Sequence, residues 1–288
     1  MRIVDAHCHI YPEEIAPRAI DGISSFYGIK RSDEGFTASD EVASALKDAG
    51  FCTTNKGTVS DLIAKETKAG VTHFLCHSVA TDPSQVRNIN TFISSEVAKH
   101  PGLITGFGTL NPYSEHIEDD LAHLLDLGLK GVKLHPDTQR FELDGKRSLK
   151  LAGMISDSKL TVLVHCGDYR YDYSNPERVR SFIKKMPDLT IIGAHFGGWS
   201  KWRQAYDLLP GLSDRFYVDL SSSLYALSPE SARDMIRKFG ADRVLFGTDY
   251  PMWDIATELK RMTKLGLSKE EKELIYHANA ERLLGIDN

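Results

Sequence analysis

Two histidines, His7 and His9, follow the first apolar run of the chain and are separated by a single residue. Successive side chains of a β-strand alternate between the two faces, so residues two apart point to the same side. Two converging imidazoles are half of a metal site. The pair alone is weak evidence, because a buried, hydrogen-bonded histidine is the commoner outcome.

The same arrangement recurs along the chain. Later apolar runs also end in a residue able to bind a metal or carry a proton, and glycine, proline or an aromatic residue follows within two positions. The residues that end these runs are His135, His165, His195 and Asp249. A series of this kind is stronger evidence for a functional site than any one member.

The apolar runs alternate with amphipathic stretches, which predicts the fold. Eight strand-like runs separated by helices are typical of an α/β protein with a single (β/α)8 TIM barrel, in which active-site residues lie at the carboxyl ends of the strands. A doubly wound sheet would more often carry a glycine-rich phosphate turn after the first strand, and none follows His9. The stretches predicted as helices are 60–69, 85–100, 117–127, 176–186, 229–239 and 257–265.

One irregular segment, residues 11–57, separates the first two strands of the predicted single domain 1–288. The interpretation is an insertion, partly helical, that covers the mouth of the barrel. A plain surface insertion is the alternative.

Composition limits the class of protein. The chain has 288 residues, of which 41% are hydrophobic and 26% charged, as in ordinary globular proteins. A net charge of -5 without a basic cluster argues against nucleic acid or an anionic membrane as partner. No apolar run approaches a membrane span and no signal-peptide pattern opens the chain, so a cytoplasmic location is expected.

The four cysteines lack Cys-x-x-Cys spacing, which favours packing over metal binding. Cys8 and Cys166 each neighbour a candidate ligand. Strand alternation turns both away from it, toward the outside of the sheet.

The candidate ligands favour one divalent metal. His7, His9, His165 and Asp249 would supply three imidazoles and a carboxylate from strands one, five and eight, and strands one and eight are neighbours in a closed barrel. Zinc suits this donor set and manganese is the alternative. A bound metal would lower the pKa of its water to about 7 and polarise a substrate carbonyl.

Two residues are predicted to carry protons. His195 is interpreted as a general acid or base, the alternative being a core histidine bonded to a backbone carbonyl. Asp249 would bind the metal through one oxygen and accept a proton through the other. Its alternative role is to cap the helix after strand eight.

Three further residues are predicted to contact the substrate. His135 precedes Pro136 and a polar loop, which favours contact with the substrate. Simple exposure at the surface is the alternative. Arg140 is a candidate partner for a substrate carboxylate. The alternative is that it forms an ion pair exposed to solvent. Trp199 is a candidate for lining the pocket, against ordinary packing.

Lys133 has the same strand parity as His135 but should lie one layer deeper. The plainer interpretation is an inward lysine paired with Asp5 or Asp219. The more specific interpretation is a carboxylated lysine that bridges two metals. A side chain that starts so deep in the barrel would reach metals at the mouth only with strain.

Taken together, these motifs resemble the amidohydrolase superfamily, and within it the aminocarboxymuconate-semialdehyde decarboxylase-like branch. The resemblance covers almost the whole chain. It implies a (β/α)8 barrel with one divalent metal, usually zinc, at residues matching His7, His9, His165 and Asp249, and a catalytic histidine matching His195. The motifs that carry it are Asp5–His9, Gly131–Pro136, Val164–Gly167, Ala194–Gly198, Gly247–Pro251 and Asn279–Leu284.

The predicted function is a metal-dependent hydrolase that acts on a small-molecule amide, ester or lactone. The branch is divided in its reactions, so a decarboxylase or hydratase of a small aromatic or unsaturated acid is the alternative. A non-enzymatic, metal-stabilised scaffold is the least favoured, because structural zinc sites are closed and generally rich in sulfur. Members of the superfamily are often dimers, so a homodimer is a further expectation.

Overall fold

Eight parallel strands form the frame of the molecule. The computed structural model describes residues 2–26, 29–32, 35–38 and 54–286, of which 29–32 and 35–38 are described by their backbone. The described strands in chain order are β1 (Ile3–His9), β2 (Ile29–Ser32), β3 (Gly35–Ala38), β4 (Val71–His77), β5 (Ile104–Thr109), β6 (Gly131–Leu134), β7 (Thr161–Val164), β8 (Ile191–Gly193), β9 (Phe216–Asp219) and β10 (Val244–Leu245). Of these, β2 and β3 form a separate antiparallel pair, and the other eight form the frame.

The sheet closes into a barrel. Its strand order is β1-β4-β5-β6-β7-β8-β9-β10, and all neighbours in that order are parallel. The last strand returns to the first, since the Ala6 amide donates to the Phe246 carbonyl at 2.9 Å and the His9 amide to the Tyr250 carbonyl at 2.7 Å. The predicted (β/α)8 TIM barrel is confirmed.

Helices connect the strands, and every stretch predicted to be helical contains one. A helix between β6 and β7 was not among those stretches. The α-helices are α1 (Ala16–Phe26), α2 (Val59–Glu66), α3 (Val86–Lys99), α4 (Ile117–Asp126), α5 (Pro136–Gln139), α6 (Lys146–Asp157), α7 (Pro176–Lys185), α8 (Trp202–Leu208), α9 (Pro229–Phe239), α10 (Ile255–Thr263), α11 (Lys269–Glu273) and α12 (Asn279–Leu284).

Capping residues explain where several helices begin. Asn175 accepts hydrogen bonds from two amides of the first turn of α7, and Ser228 accepts one from the Ser231 amide of α9. Proline follows both caps, where its fixed φ suits the first helical position and its missing N–H leaves no bond unmade.

The core has two layers. Small and branched side chains such as Ala6, Leu163 and Ile192 form the inner cluster, and a larger outer cluster lies between sheet and helices. Cys8 and Cys166 are fully buried in the outer cluster, as strand alternation predicted.

A register shift in β1 sets the direction of the first histidine. The pairing of β1 with β4 is irregular between Asp5 and Cys8. Ala6 belongs to the inner cluster, yet the adjacent His7 also points to the centre, where its ring contacts that of His9. The irregularity allows consecutive residues to face inward, and the predicted common side of His7 and His9 is confirmed.

The segment 11–57 begins and ends at one point of the barrel. The Tyr11 amide donates to the Gly57 carbonyl at 2.8 Å, joining the two ends. Helix α1 confirms that the segment is partly helical, and at its end Phe26 lies 6.0 Å from the His135 ring, measured between ring centroids. Residues 39–53 lie outside the described residues, so the cover over the mouth stays a prediction.

Among the described residues, no helix combines the length and the apolar character needed to cross a bilayer.

We expect Gly131→Ala to destabilise the barrel. A Cβ at this position in β6 would lie 2.5–2.6 Å from three ring carbons of Phe107, a rigid and fully buried side chain of the inner cluster. Overpacking of this kind costs about 1–3 kcal/mol. Gly153→Ala in α6 is the matched control, since its Cβ would meet no atom within 4 Å. Urea unfolding should show Gly131→Ala less stable and Gly153→Ala equal to or above the wild type.

Candidate metal and catalytic centre

Three ligand atoms converge where β1 meets β10. His7 Nε2 lies 3.3 Å from His9 Nε2 and 3.3 Å from Asp249 Oδ1, and His9 Nε2 lies 3.4 Å from the same carboxylate oxygen. Donor atoms of a tetrahedral zinc site, each about 2.0–2.2 Å from the metal, are about 3.4 Å apart. The spacing of the three atoms therefore fits one divalent cation.

Asp249 presents one oxygen to the histidines and has the other held. The Ser222 hydroxyl donates to Oδ2, and the Trp253 indole N–H donates to the Ser222 hydroxyl at 2.8 Å. The helix after the last strand is capped instead by Asp254, whose side chain accepts from the Thr257 amide. The alternative role of Asp249 as a helix cap is wrong.

Asp219, at the end of β9, orients the first histidine. Its Oδ2 lies 2.8 Å from His7 Nδ1, and its Oδ1 accepts from the amides of His195 and Ser221. Burial alone would raise the pKa of Asp219, but His7, His195 and the Ser221 hydroxyl together outweigh burial and hold it at about 2. An ionised carboxylate only accepts, so His7 Nδ1 carries the proton and its Nε2 lone pair faces the centre.

Lys133 reaches the ligand atoms. Its side chain is fully buried and Nζ lies 3.0 Å from His7 Nε2, so it reaches a predicted ligand from its place in β6. Within the described part of the chain it forms no ion pair with Asp5 or Asp219, which corrects the plainer interpretation. Burial lowers its pKa to about 8, against the opposing effect of Asp249 and Asp219.

His195 and His165 form a second pair of imidazoles. His195 Nδ1 lies 2.9 Å from the Ser221 carbonyl oxygen and His165 Nε2 lies 2.8 Å from that of Gly167, so each of these nitrogens carries a proton. The remaining nitrogens, His195 Nε2 and His165 Nδ1, face each other at 3.0 Å. Burial lowers the pKa of both rings, that of His195 to about 4. Two neutral rings thus direct lone pairs at one another, an arrangement that a cation between or beside them would relieve.

The two groups of imidazoles meet at His195. Its ring centroid lies 5.2 Å from that of His7 and 4.9 Å from that of His165. Among the described residues, His165 makes no direct hydrogen-bonding contact with His7, His9 or Asp249. The structure therefore brings three of the four predicted ligands together directly and links His165 to them through His195.

The predicted substrate contacts fall in different places. His135 is buried and its ring stacks on that of His165 at 3.8 Å with an interplanar angle of 8°, so simple surface exposure is wrong. Trp199 is buried, with its ring 6.5 Å from that of Tyr169. Arg140 is exposed and stands outside the cluster of histidines.

Besides the role of Asp219 in orienting His7, sequence reasoning missed two groups near the histidines. Asp137 Oδ2 lies 3.6 Å from His165 Nε2, and burial raises the pKa of Asp137 to about 7. His77, at the end of β4, is fully buried, with its ring centroid 4.4 Å from that of His9 and 4.8 Å from that of His7. His77 also ends an apolar run, but Ser78 and Val79 follow it instead of the glycine, proline or aromatic residue that marked the other ends.

The chain belongs to the amidohydrolase superfamily. A family model described as amidohydrolase matches residues 4–286, nearly the whole barrel. The match covers the strand ends that carry all four predicted ligands. A comparison with curated protein sequences gives no match.

Solved structures share this fold at low sequence identity. An uncharacterised TIM-barrel protein from Bordetella bronchiseptica has a TM-score of 0.75 at 21% identity, with 99% of each chain covered. A dihydroxybenzoic acid decarboxylase from Polaromonas sp. JS666, solved with manganese and 2-nitroresorcinol bound, has 0.68 at 16%, covering 100% of this chain and 98% of the other. A protein provisionally named as a 2-pyrone-4,6-dicarboxylic acid hydrolase from Pseudomonas putida has 0.65 at 18%, covering 99% and 98%.

The metal-free protein should lose stability as the pH falls below 6.5. Burial lowers the pKa of His9 and His195 from 6.5 to about 4, so between these values these two side chains bind more protons in the unfolded chain than in the folded chain. Their contribution is complete above pH 6.5 and declines toward pH 4. Urea unfolding of chelator-treated protein from pH 7 to pH 5 should show a falling free energy of unfolding.

The matched variant for this effect is His195→Gln. Glutamine keeps a polar side chain but has no titrating group, so its free energy of unfolding should fall less steeply over the same range. Equal slopes for the variant and the wild type would contradict the assignment of a lowered pKa to His195.

Proposed function

We propose that the chain is a metal-dependent hydrolase that acts on a small-molecule amide, ester or lactone. The observation that carries the proposal is the spacing of His7 Nε2, His9 Nε2 and Asp249 Oδ1, none more than 3.4 Å from another, beside the neutral imidazole of His195. The three ligand atoms suit a cation, and the neutral His195 ring is able to accept a proton.

His7, His9 and Asp249 would hold the cation, with His165 adjacent through His195. Zinc and manganese both accept nitrogen and carboxylate ligands. Among the described residues the site has no thiolate, because Cys8, Cys76 and Cys166 belong to the outer cluster. A divalent ion there supplies two things when bound, polarisation of a substrate carbonyl and a water of lowered pKa.

His195 is suited to proton transfer. The Ser221 carbonyl fixes the proton on Nδ1 and leaves Nε2 able to accept one. Because its pKa is about 4, the ring is neutral at pH 7 and can take a proton from the attacking water and return it to the leaving group. Asp249 stays ionised, because its histidine neighbours outweigh burial and hold its pKa well below the usual range.

The substrate would approach from the His135 side. The stacked pair of His135 and His165 forms a flat, buried wall, and Phe26 contacts the His135 ring from α1. A planar or unsaturated group fits such a wall, while the carbonyl to be attacked lies toward His195.

A decarboxylase of a small aromatic acid is the second candidate. It is supported by the shared fold with the manganese-containing dihydroxybenzoic acid decarboxylase and by the flat imidazole wall, which would suit an aromatic ring. In that reaction His195 would first take up a proton from water at Nε2 and then deliver it to the ring carbon that loses carbon dioxide. The two candidates differ in a measurable product.

The deciding experiment measures metal content and turnover together. We expect about one equivalent of zinc or manganese in the purified protein, lost in His7→Ala and Asp249→Ala while circular dichroism shows the fold retained. Lactones, esters, amides and aromatic acids are then screened, with carbon dioxide release measured in parallel. Hydrolysis without carbon dioxide supports the proposal, and carbon dioxide release supports the second candidate. Absence of metal after reconstitution would overturn both.

His195→Gln should lower kcat by roughly 100-fold or more, the usual contribution of a general acid or base, without loss of metal. His116→Gln is the control, because His116 is an exposed histidine just before α4 and is not one of the clustered rings. Retention of full kcat in His195→Gln would show that another group carries the proton.

Asp219→Asn should weaken metal binding roughly 10- to 100-fold, the usual cost of losing an orienting carboxylate behind a metal-binding histidine. Asp207→Asn is the control, since Asp207 pairs with Arg203 on the surface. Competition titration with a chromophoric chelator measures both affinities, and equal affinities would contradict the role given to Asp219.

A further inference from the structure

His77 has a buried ring without polar partners. The side chain is fully buried, and within the described chain neither Nδ1 nor Nε2 has a hydrogen-bond partner. A buried polar atom left without a partner costs free energy, and nearly all such atoms in folded proteins are paired. The two unpaired nitrogens of the His77 ring therefore indicate that their partner is a group bound by the protein.

Another histidine of the same strand shows the contrast. His73 Nδ1 lies 3.2 Å from the Gly102 carbonyl oxygen, and its Nε2 lies 2.8 Å from the Thr105 hydroxyl. His73 is at the beginning of β4 and His77 is at its carboxyl end. The strand thus supplies partners for a histidine with a packing role, and the unpaired ring is the one beside the candidate metal ligands.

The surroundings of His77 are other imidazoles. Its ring lies edge-to-face with those of His9 and His7, at interplanar angles of 84° and 76°. One ligand atom from each of the three residues lies within 4.8 Å of the others. Donor atoms around one tetrahedral zinc ion are about 3.4 Å apart, which is the spacing that the three rings would have to reach. A small rotation of a ring that no hydrogen bond restrains would bring His77 into the same coordination sphere.

We propose that His77 is an additional imidazole ligand of the metal centre, alongside His7 and His9. The inference rests on the proposed function, since it assumes that His7, His9 and Asp249 hold a metal. It places ligands on three adjacent strands, β4, β1 and β10, on one side of the barrel mouth. His165 and His195 then stand together on the other side, where the substrate is handled.

The test compares two histidines of one strand. Full-length protein is stripped with a chelator, and zinc is titrated against a chromophoric chelator for the wild type, His77→Gln and the control His73→Gln. We expect zinc affinity to fall at least tenfold in His77→Gln and to change less than twofold in His73→Gln. The cobalt-loaded wild type and His77→Gln should also differ in the position or intensity of the visible absorption bands, which report the ligands directly.

A second variant guards against a folding effect. His77→Ala leaves a space the size of the ring, and millimolar imidazole should restore zinc affinity if the lost group was a ligand. Thermal unfolding of the metal-free proteins verifies that each variant folds. Unchanged zinc affinity and an unchanged cobalt spectrum in the His77 variants would overturn the inference.

The outcomes also separate this inference from the proposed function. If the wild type binds zinc, His7→Ala abolishes binding and the His77 variants bind normally, the ligand role of His77 alone fails. If the wild type binds neither zinc nor manganese, the proposed function fails with it.

Discussion

The hydrogen bond between His7 and Asp219 is the constraint on which the centre depends. The Asp219 carboxylate joins β1 to β9 across the interior and also accepts the amides of His195 and Ser221. One buried anion thus fixes the tautomer of a candidate ligand and the backbone of His195, the residue proposed to transfer protons. The barrel makes this possible because the ends of β1, β8 and β9 meet at the same edge.

Backbone strain is concentrated at the same edge. His195, Phe196, Ser222 and Asp249 all have positive φ, between 46° and 61°. Non-glycine residues in this region cost about 1–3 kcal/mol each, and such strain gathers at functional sites. At Asp249 the turn places one oxygen toward the histidines and the other toward Ser222. Gly167 also has a positive φ, 80°, but here the residue type itself is required. A Cβ at this position would lie 2.7 Å from the backbone of Gly198 and Trp199.

The barrel and the strand-end residues could be predicted from the sequence because both follow from short-range patterns. Apolar runs identify the strands, and parity within a run decides which side a residue faces, as for His7, His9 and Cys8. The position of Lys133 could not be obtained this way, because the reach of a long side chain depends on the width of the barrel. Asp219 and His77 were missed for a related reason. Their significance lies in contacts with β1, more than 60 residues away, and no local pattern records them.

The hydrogen bond between Tyr11 and Gly57 gives the segment between them a particular freedom. Its two ends are joined at the barrel, so its length has little effect on the rest of the chain, and the entropy of loop closure rises only slowly with added residues. The candidate ligands lie outside this interval. Substitution in the described part of this segment, for instance at Phe26 beside His135, can therefore change the surroundings of the candidate site while the candidate ligands stay where they are.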